Sequence, residues 1–233
     1  AALDRISNDS KTAKVVFIPK GIYRITKTLV ISKNQGGAVI GEEGTRIVWD
    51  GESGGRMLHA NGASRHRYIN IIWDGKGKAG VGIDHDSKSY YETRIRHENE
   101  TFLDFTIAGI RGGHDPKVTP SAEFFIENCR FERCMKGVSL LLWNYYDNFF
   151  TDCEFIDCGN GIYCEKGNFA VRCSRFERSK DADMVITTHS FSVRRSVSVG
   201  SGQFIRTFHS GAHGASLMVE GCRIDSWKNK NAV

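Results

Sequence analysis

Two carboxylates stand two residues apart in Val81-Gly-Ile-Asp-His-Asp86, and an arginine and a histidine follow in Gly109-Ile-Arg-Gly-Gly-His114. On extended chain, Asp84 and Asp86 project from one face about 7 Å apart. That spacing admits two chemistries. The hard oxygens of Asp84 and Asp86 would hold Ca²⁺, neutralising a bound carboxylate and acidifying the proton α to it, and Arg111 or His114 would take that proton. The same pair would also suit an inverting hydrolysis, one carboxyl protonating the leaving oxygen and the other activating water. A third reading makes both aspartates turn residues beside the insertion Asp86-Ser-Lys-Ser-Tyr-Tyr-Glu-Thr93.

The elements that must position these groups are read from a repeat. Phe125-Ile-Glu-Asn-Cys-Arg-Phe131 returns as Phe150-Thr-Asp-Cys-Glu-Phe155 and Ala170-Val-Arg-Cys-Ser-Arg-Phe176, then as Ser192–Ser198 and Met218–Ile224. With Phe131, Phe155, Phe176, Ser198 and Ile224 as equivalents, the steps are 24, 21, 22 and 26 residues. An earlier copy, Thr101–Ile107, extends the series upstream by a further 24-residue step. A period in the low twenties, built from short alternating strands, is that of one coil of a parallel β-helix. Seven or eight coils fit in 233 residues, and only three are proline. Alternation turns Cys129 and Phe131, Cys153 and Phe155 inward, with Arg130 and Glu154 outward. Asp104, Asn128 and Asp152 fall at tight bends, where such residues tolerate a left-handed backbone.

Coils stack like on like, so Cys129, Cys153 and Cys173 are expected at one interior position and Cys134 and Cys158 at another. The seven cysteines show no paired CxxC spacing and read as a buried thiol stack, although adjacent coils bring some pairs within disulfide reach. Arg94, Arg96, Arg130, Arg133, Arg172, Arg175 and Arg178 mostly alternate with interior positions and read as solvated strand faces.

The N-terminal stretch carries a family likeness. Ala1-Ala-Leu-Asp-Arg-Ile is followed by Val15-Val-Phe-Ile-Pro-Lys-Gly-Ile-Tyr-Arg-Ile, Gly41-Glu-Glu-Gly-Thr-Arg-Ile-Val-Trp49 and Trp73-Asp-Gly75. This resembles the opening of the pectate-lyase-superfamily module, by motif over residues 1–110 and by period beyond. The resemblance implies an all-β, right-handed parallel β-helix: one domain over 1–233, with 1–7 the remnant of a capping helix and both ends truncated. It also implies export, to an extracellular or periplasmic location. Free cysteines weigh the other way.

In that superfamily glycans lie along the strand that follows the glycine turn. Carried onto this chain, the likeness places Tyr163, Glu165 and His189 beside the Asp84, Asp86, Arg111 and His114 cluster. Trp143, Tyr145 and Tyr146 on Leu142–Asn148 would form a sugar-stacking platform, or a loop folded back on the coil. His189, His209 and His213 match no metal spacing and read as surface or general-base histidines. A net charge of +5 and a pI near 8.8 suit a polyanionic glycan, are also ordinary for this length, and are not the dense patch expected for nucleic acid. No transmembrane run is present in the sequence, and oligomeric state is left open. The activity implied is cleavage of a uronate-containing polysaccharide by β-elimination. An inverting, polygalacturonase-like hydrolase and a non-catalytic tailspike- or adhesin-like β-helix are the alternatives. The superfamily hosts all three, so fold alone does not choose.

Overall fold

A computed structural model of the chain describes residues 15–32, 35–87, 91–115, 117, 121–141, 147–187, 190–207 and 216–228. Its strands pair in parallel and wind into a β-solenoid of about seven coils. Each full coil has three legs, seen in Ser121–Glu127, Arg130–Glu132 and Lys136–Leu140. The first two legs of successive coils merge into a sixteen-stranded sheet, because the long strand Arg67–Asp74 pairs with both. The third legs form a separate eight-stranded sheet. The anticipated capping helix lies outside the described residues.

The bends follow from residue type. Asp104, Asn128 and Asp152 have φ of 58°, 51° and 54°, the left-handed region that short polar side chains tolerate. Asn70, Asn99 and Asn128 stack there as an amide ladder, each side chain donating to the one before at 3.1 and 2.8 Å. On the outer faces Arg96 pairs with Glu127, Arg130 with Glu154 and Arg175 with Glu177. These pairs are solvated strand faces, as their alternation implied, and contribute little to stability individually.

Inside, Phe102, Phe131, Phe155 and Phe176 stack in register, with centroids 5.0, 4.9 and 4.8 Å apart and ring planes within 6° of parallel. Ser198 and Ile224 continue the row, which fixes the steps of 24, 21, 22 and 26 residues. The upstream step is corrected. Phe131 pairs with Phe102, 29 residues earlier, because the connection between Gly112 and Ser121 lengthens that coil. The cysteine row is corrected as well. Cys129 and Cys153 are buried, but Ser174 follows them in register. Cys173 is exposed at the bend with φ 51°. Burial pushes the Cys153 thiol up to about 12 and raises that of Cys129 as well. Thiol labelling of the native protein should therefore modify Cys173 quickly and Cys129 and Cys153 only on unfolding; rapid reaction of Cys153 would contradict this register.

Each phenylalanine ring sits on a glycine of the eight-stranded sheet. A Cβ on Gly137 would meet the Phe155 ring at 2.7 Å, and one on Gly161 the Phe176 ring at 2.8 Å. One coil on, both partners change together: Ser198 replaces the ring and Asp183 the glycine. The Ser198 hydroxyl donates to Asp183 Oδ2 at 2.5 Å, and Ser179 and Ser201 adjoin. Burial raises Asp183 to about 6, only partly opposed by the serine hydroxyls. A carboxyl raised on folding penalises the native state above its native pKa and not below its unfolded one. Asp183→Asn should thus stabilise the fold by about 2–3 kcal/mol at pH 8 and by only about 0.5 kcal/mol at pH 4, measured by denaturant unfolding. Equal effects at both pH values would contradict a charged Asp183.

Candidate functional site

The outward face of the eight-stranded sheet carries the site. Parallel register aligns His59, Asp84, Arg111, Ser139, Tyr163, Val185 and Arg206 in one row across it. Ile83, Ile110, Val138 and Ile162 precede four of these and are buried in the core. Alternation then sends Asp84, Arg111, Ser139 and Tyr163 outward, and Asp86 and Glu165 after them.

Asp84 is on the expected face but is not open to solvent. Arg111 Nε donates to Asp84 Oδ1 at 3.1 Å, while Arg111 Nη2 and Arg56 Nη1 both donate to Oδ2 at 2.7 Å. The two guanidinium groups cover the carboxylate, whose side chain is 0% exposed. Burial alone would raise its pKa; Arg111 and then Arg56 outweigh it and hold Asp84 below the usual carboxylate range. Asp86 moves the other way. Burial and the charge of Asp84 raise it, against the opposing charge of Arg111 and the Gly113 and His114 amides, which donate to its Oδ1 at 2.6 and 3.3 Å. His59 Nε2 donates to the Asp86 carbonyl at 2.7 Å and ties this segment to the coil before.

Calcium does not fit these donors. Both Asp84 oxygens are engaged by guanidinium groups standing where a cation would sit, and Asp86 Oδ1 already accepts two amides. Among the described residues no three His, Cys, Asp or Glu side chains form a metal-holding group. The inverting pair fits no better, since the Asp84 side chain is covered by two guanidinium groups and closed to water. Arg111 is unsuited as a base: burial lowers its pKa, but Asp84 outweighs that and leaves it raised.

His114 has what Arg111 lacks. Burial, then the positive charges of Arg111 and Lys136, lower it to about 4, so it is neutral at pH 7. Its Nε2 lies 3.3 Å from Ser139 Oγ, which places the ring between Arg111 and Tyr163. Lys136 Nζ sits 3.6 Å over the Tyr163 ring, and the Tyr163 hydroxyl donates to Glu165 Oε1 at 3.4 Å. Burial, then Glu165, raise Tyr163 and keep it protonated.

The structure therefore brings together Asp84, Asp86, Arg111, His114, Tyr163 and Glu165. Trp143, Tyr145, Tyr146 and His189 lie outside the described residues, as do His209 and His213. Arg56, Lys136 and Ser139 belong to the site but were not singled out in the sequence. Ser139 was legible as the outward neighbour of Val138. A separate groove of about 510 Å³ lies at the bend beside Asp104, Arg133, Met135 and Asp157. Its acids are already paired, Asp104 to Arg133 and Asp157 to Arg178, each at 2.7 Å, so it offers no free acid–base group from them.

Fold and site together define a parallel β-solenoid with a charged, aromatic-bearing face on one sheet. No family model matches the sequence, and neither does any curated protein. Among solved structures the chain is similar to PfbA, a surface adhesin of Streptococcus pneumoniae, at 10% identity and a TM-score of 0.52, over 98% of this chain and 88% of that one. A Geobacillus virus E2 protein, ORF18, matches at 13% identity and a TM-score of 0.44, over 98% of this chain. The chain spans 56% of that viral protein. The catalytic unit of a GH87 α-1,3-glucanase from Streptomyces thermodiastaticus strain HF3-3 matches at 13% identity and a TM-score of 0.43, over 99% of this chain and 66% of that one. At such identities the likeness is one of fold.

Proposed function

We propose that this face binds an acidic polysaccharide and cleaves it by β-elimination without calcium, His114 serving as base. One observation carries the reading: a histidine held neutral between two cations and 3.3 Å from Ser139, the register neighbour of a protonated tyrosine. Arg111 spends Nε and Nη2 on Asp84, leaving Nη1 to face a uronate carboxylate. That contact stabilises the negative charge that develops when His114 removes the proton α to the carboxylate. The C–H electron pair becomes the new C=C bond, the C–O bond to the leaving sugar breaks, and the departing oxygen takes the Tyr163 proton. Asp84 holds Arg111 and does not react. The resemblance over residues 1–110 supports a carbohydrate ligand and an extracellular or periplasmic setting.

A non-catalytic glycan-binding role is the second reading, favoured by the full engagement of Asp84 with arginines. Both readings require recognition of negative charge. Titration with polygalacturonate should show binding that weakens with salt, and Arg111→Ala should lose about tenfold or more in affinity, as for a charged hydrogen bond. Equal binding of a neutral glucan, or an unaffected Arg111→Ala, would overturn the acidic-ligand reading.

A further inference from the structure

Behind Asp84 and Asp86 the solenoid interior is polar. His85, Glu92, His97 and Glu100 are all buried, at 1% exposure or less. Glu92 Oε1 accepts the amides of Gly62 and Ala63 at 2.6 and 3.0 Å, and its Oε2 lies 2.8 Å from His85 Nδ1. His85 Nε2 faces His97 Nε2 at 3.2 Å. His97 Nδ1 lies 2.7 Å from Glu100 Oε2, and Trp73 Nε1 donates to Glu100 Oε1 at 2.7 Å. Tyr68 stacks on His97 with centroids 5.0 Å apart, and Phe124 meets His85 edge-on at the same separation.

Two facing ring nitrogens form a hydrogen bond only if one carries a proton and the other does not. Glu92 is the accepting end, since two amides already point at it. His85 Nδ1–H therefore donates to Glu92, and in a neutral His85 Nε2 is bare. His97 Nε2–H then donates to it, which leaves His97 Nδ1 bare and requires the proton on Glu100 Oε2. One charge, on Glu92, serves the whole chain. The rival arrangement, with an imidazolium at His85 and an ionised Glu100, puts three charges into the same dry volume at higher desolvation cost.

We propose that Glu100, His97, His85 and Glu92 form a one-way hydrogen-bond chain, and that the carboxyl proton of Glu100 latches the segment displaying Asp84 and Asp86. Without that proton Glu100 accepts from His97 Nδ1–H, and two bare Nε2 lone pairs confront each other. The chain then opens beside His85, the residue between the two aspartates. Burial, helped by the charge of Glu98 and opposed by Trp73, raises Glu100 to about 8, so the latch is closed at neutral pH. Burial, then His85, hold His97 well below its ordinary value. Among the described residues the other titratable groups facing the chain are Tyr68, Cys129 and His66. Burial keeps Tyr68 and Cys129 protonated and lowers His66 to about 4, so all three are neutral across this range.

Histidine ¹⁵N NMR tests the chain without reference to any activity. At pH 6–7 His85 should be the Nδ1–H tautomer and His97 the Nε2–H tautomer; near pH 8 His97 should switch to Nδ1–H while His85 keeps its proton on Nδ1. His97 as Nδ1–H, or His85 as imidazolium at pH 7, would overturn the proposal. Two matched variants add an arm. Glu100→Gln still donates to His97 and accepts from Trp73, so its melting temperature should stay within about 2 °C of wild type and the change near pH 8 should vanish. Glu92→Gln places an amide where only acceptors work and should lower the melting temperature by about 5–10 °C. Equal losses in the two variants would overturn the direction of the chain. If Glu92→Gln fails to fold, Glu100→Gln and the tautomers still decide.

Discussion

Replacing Phe155 by Ala is expected to cost about 3–5 kcal/mol of unfolding free energy, measured by denaturant titration. Phe155 is fully buried and stacked on both sides, against Phe131 at 4.9 Å and Phe176 at 4.8 Å. Its ring also covers Gly137, where any Cβ would clash. Truncation removes contacts from three neighbours in three coils, and rigid strands spaced by backbone hydrogen bonds cannot collapse to fill the void. The chain itself shows what accommodation requires. Where Ser198 stands in place of the ring, Asp183 stands in place of the glycine and bonds to it. A loss below about 1 kcal/mol would mean that Phe155 is not a packed interior residue.

The second large effect is expected of the proposed lyase activity. His114→Gln should lower turnover of a uronate polymer by about 10²–10⁴-fold, the usual contribution of a positioned general base. The pH profile distinguishes a base from a merely structural group. His114 must be unprotonated to act, and burial between Arg111 and Lys136 sets it at about 4. Activity should therefore hold as pH falls through 6 and fail only near 4, where protonation removes the lone pair. An acid limb near 6.5, or a variant retaining wild-type turnover, would remove His114 from the role of base.

Much of this architecture was legible because a solenoid repeats its own grammar. The inward positions of Cys129, Phe131, Cys153 and Phe155, and the outward parity of Asp84 and Asp86, follow from alternation alone. The cysteine at 173 misled because like residues are expected to stack. Counting two back from Phe176, as Cys129 is two back from Phe131, reaches Ser174, the residue the structure places inside. Arg56 could not be read at all. Its strand partner is Val81, and only a long side chain reaching along the sheet brings it to Asp84. The interior chain was overlooked because Glu92, His97 and Glu100 look like surface residues. Their one sequence signal is parity, since His97 shares the inward face of its strand with Ile95.

Calcium was inferred from two acids and an arginine on one face, and the structure shows why it does not suit them. At about 2.7 Å the arginines of the coils on either side claim Asp84 before any metal can. On the proposed reading, charge neutralisation of a uronate falls to Arg111. The measurement that tests this most directly is digestion of polyuronates in excess chelator, following ultraviolet absorbance of unsaturated ends together with new reducing ends. The account predicts that both appear in equal amounts, undiminished by the chelator. Reducing ends without unsaturation, activity lost with the metal, or no cleavage of any uronate polymer would contradict it.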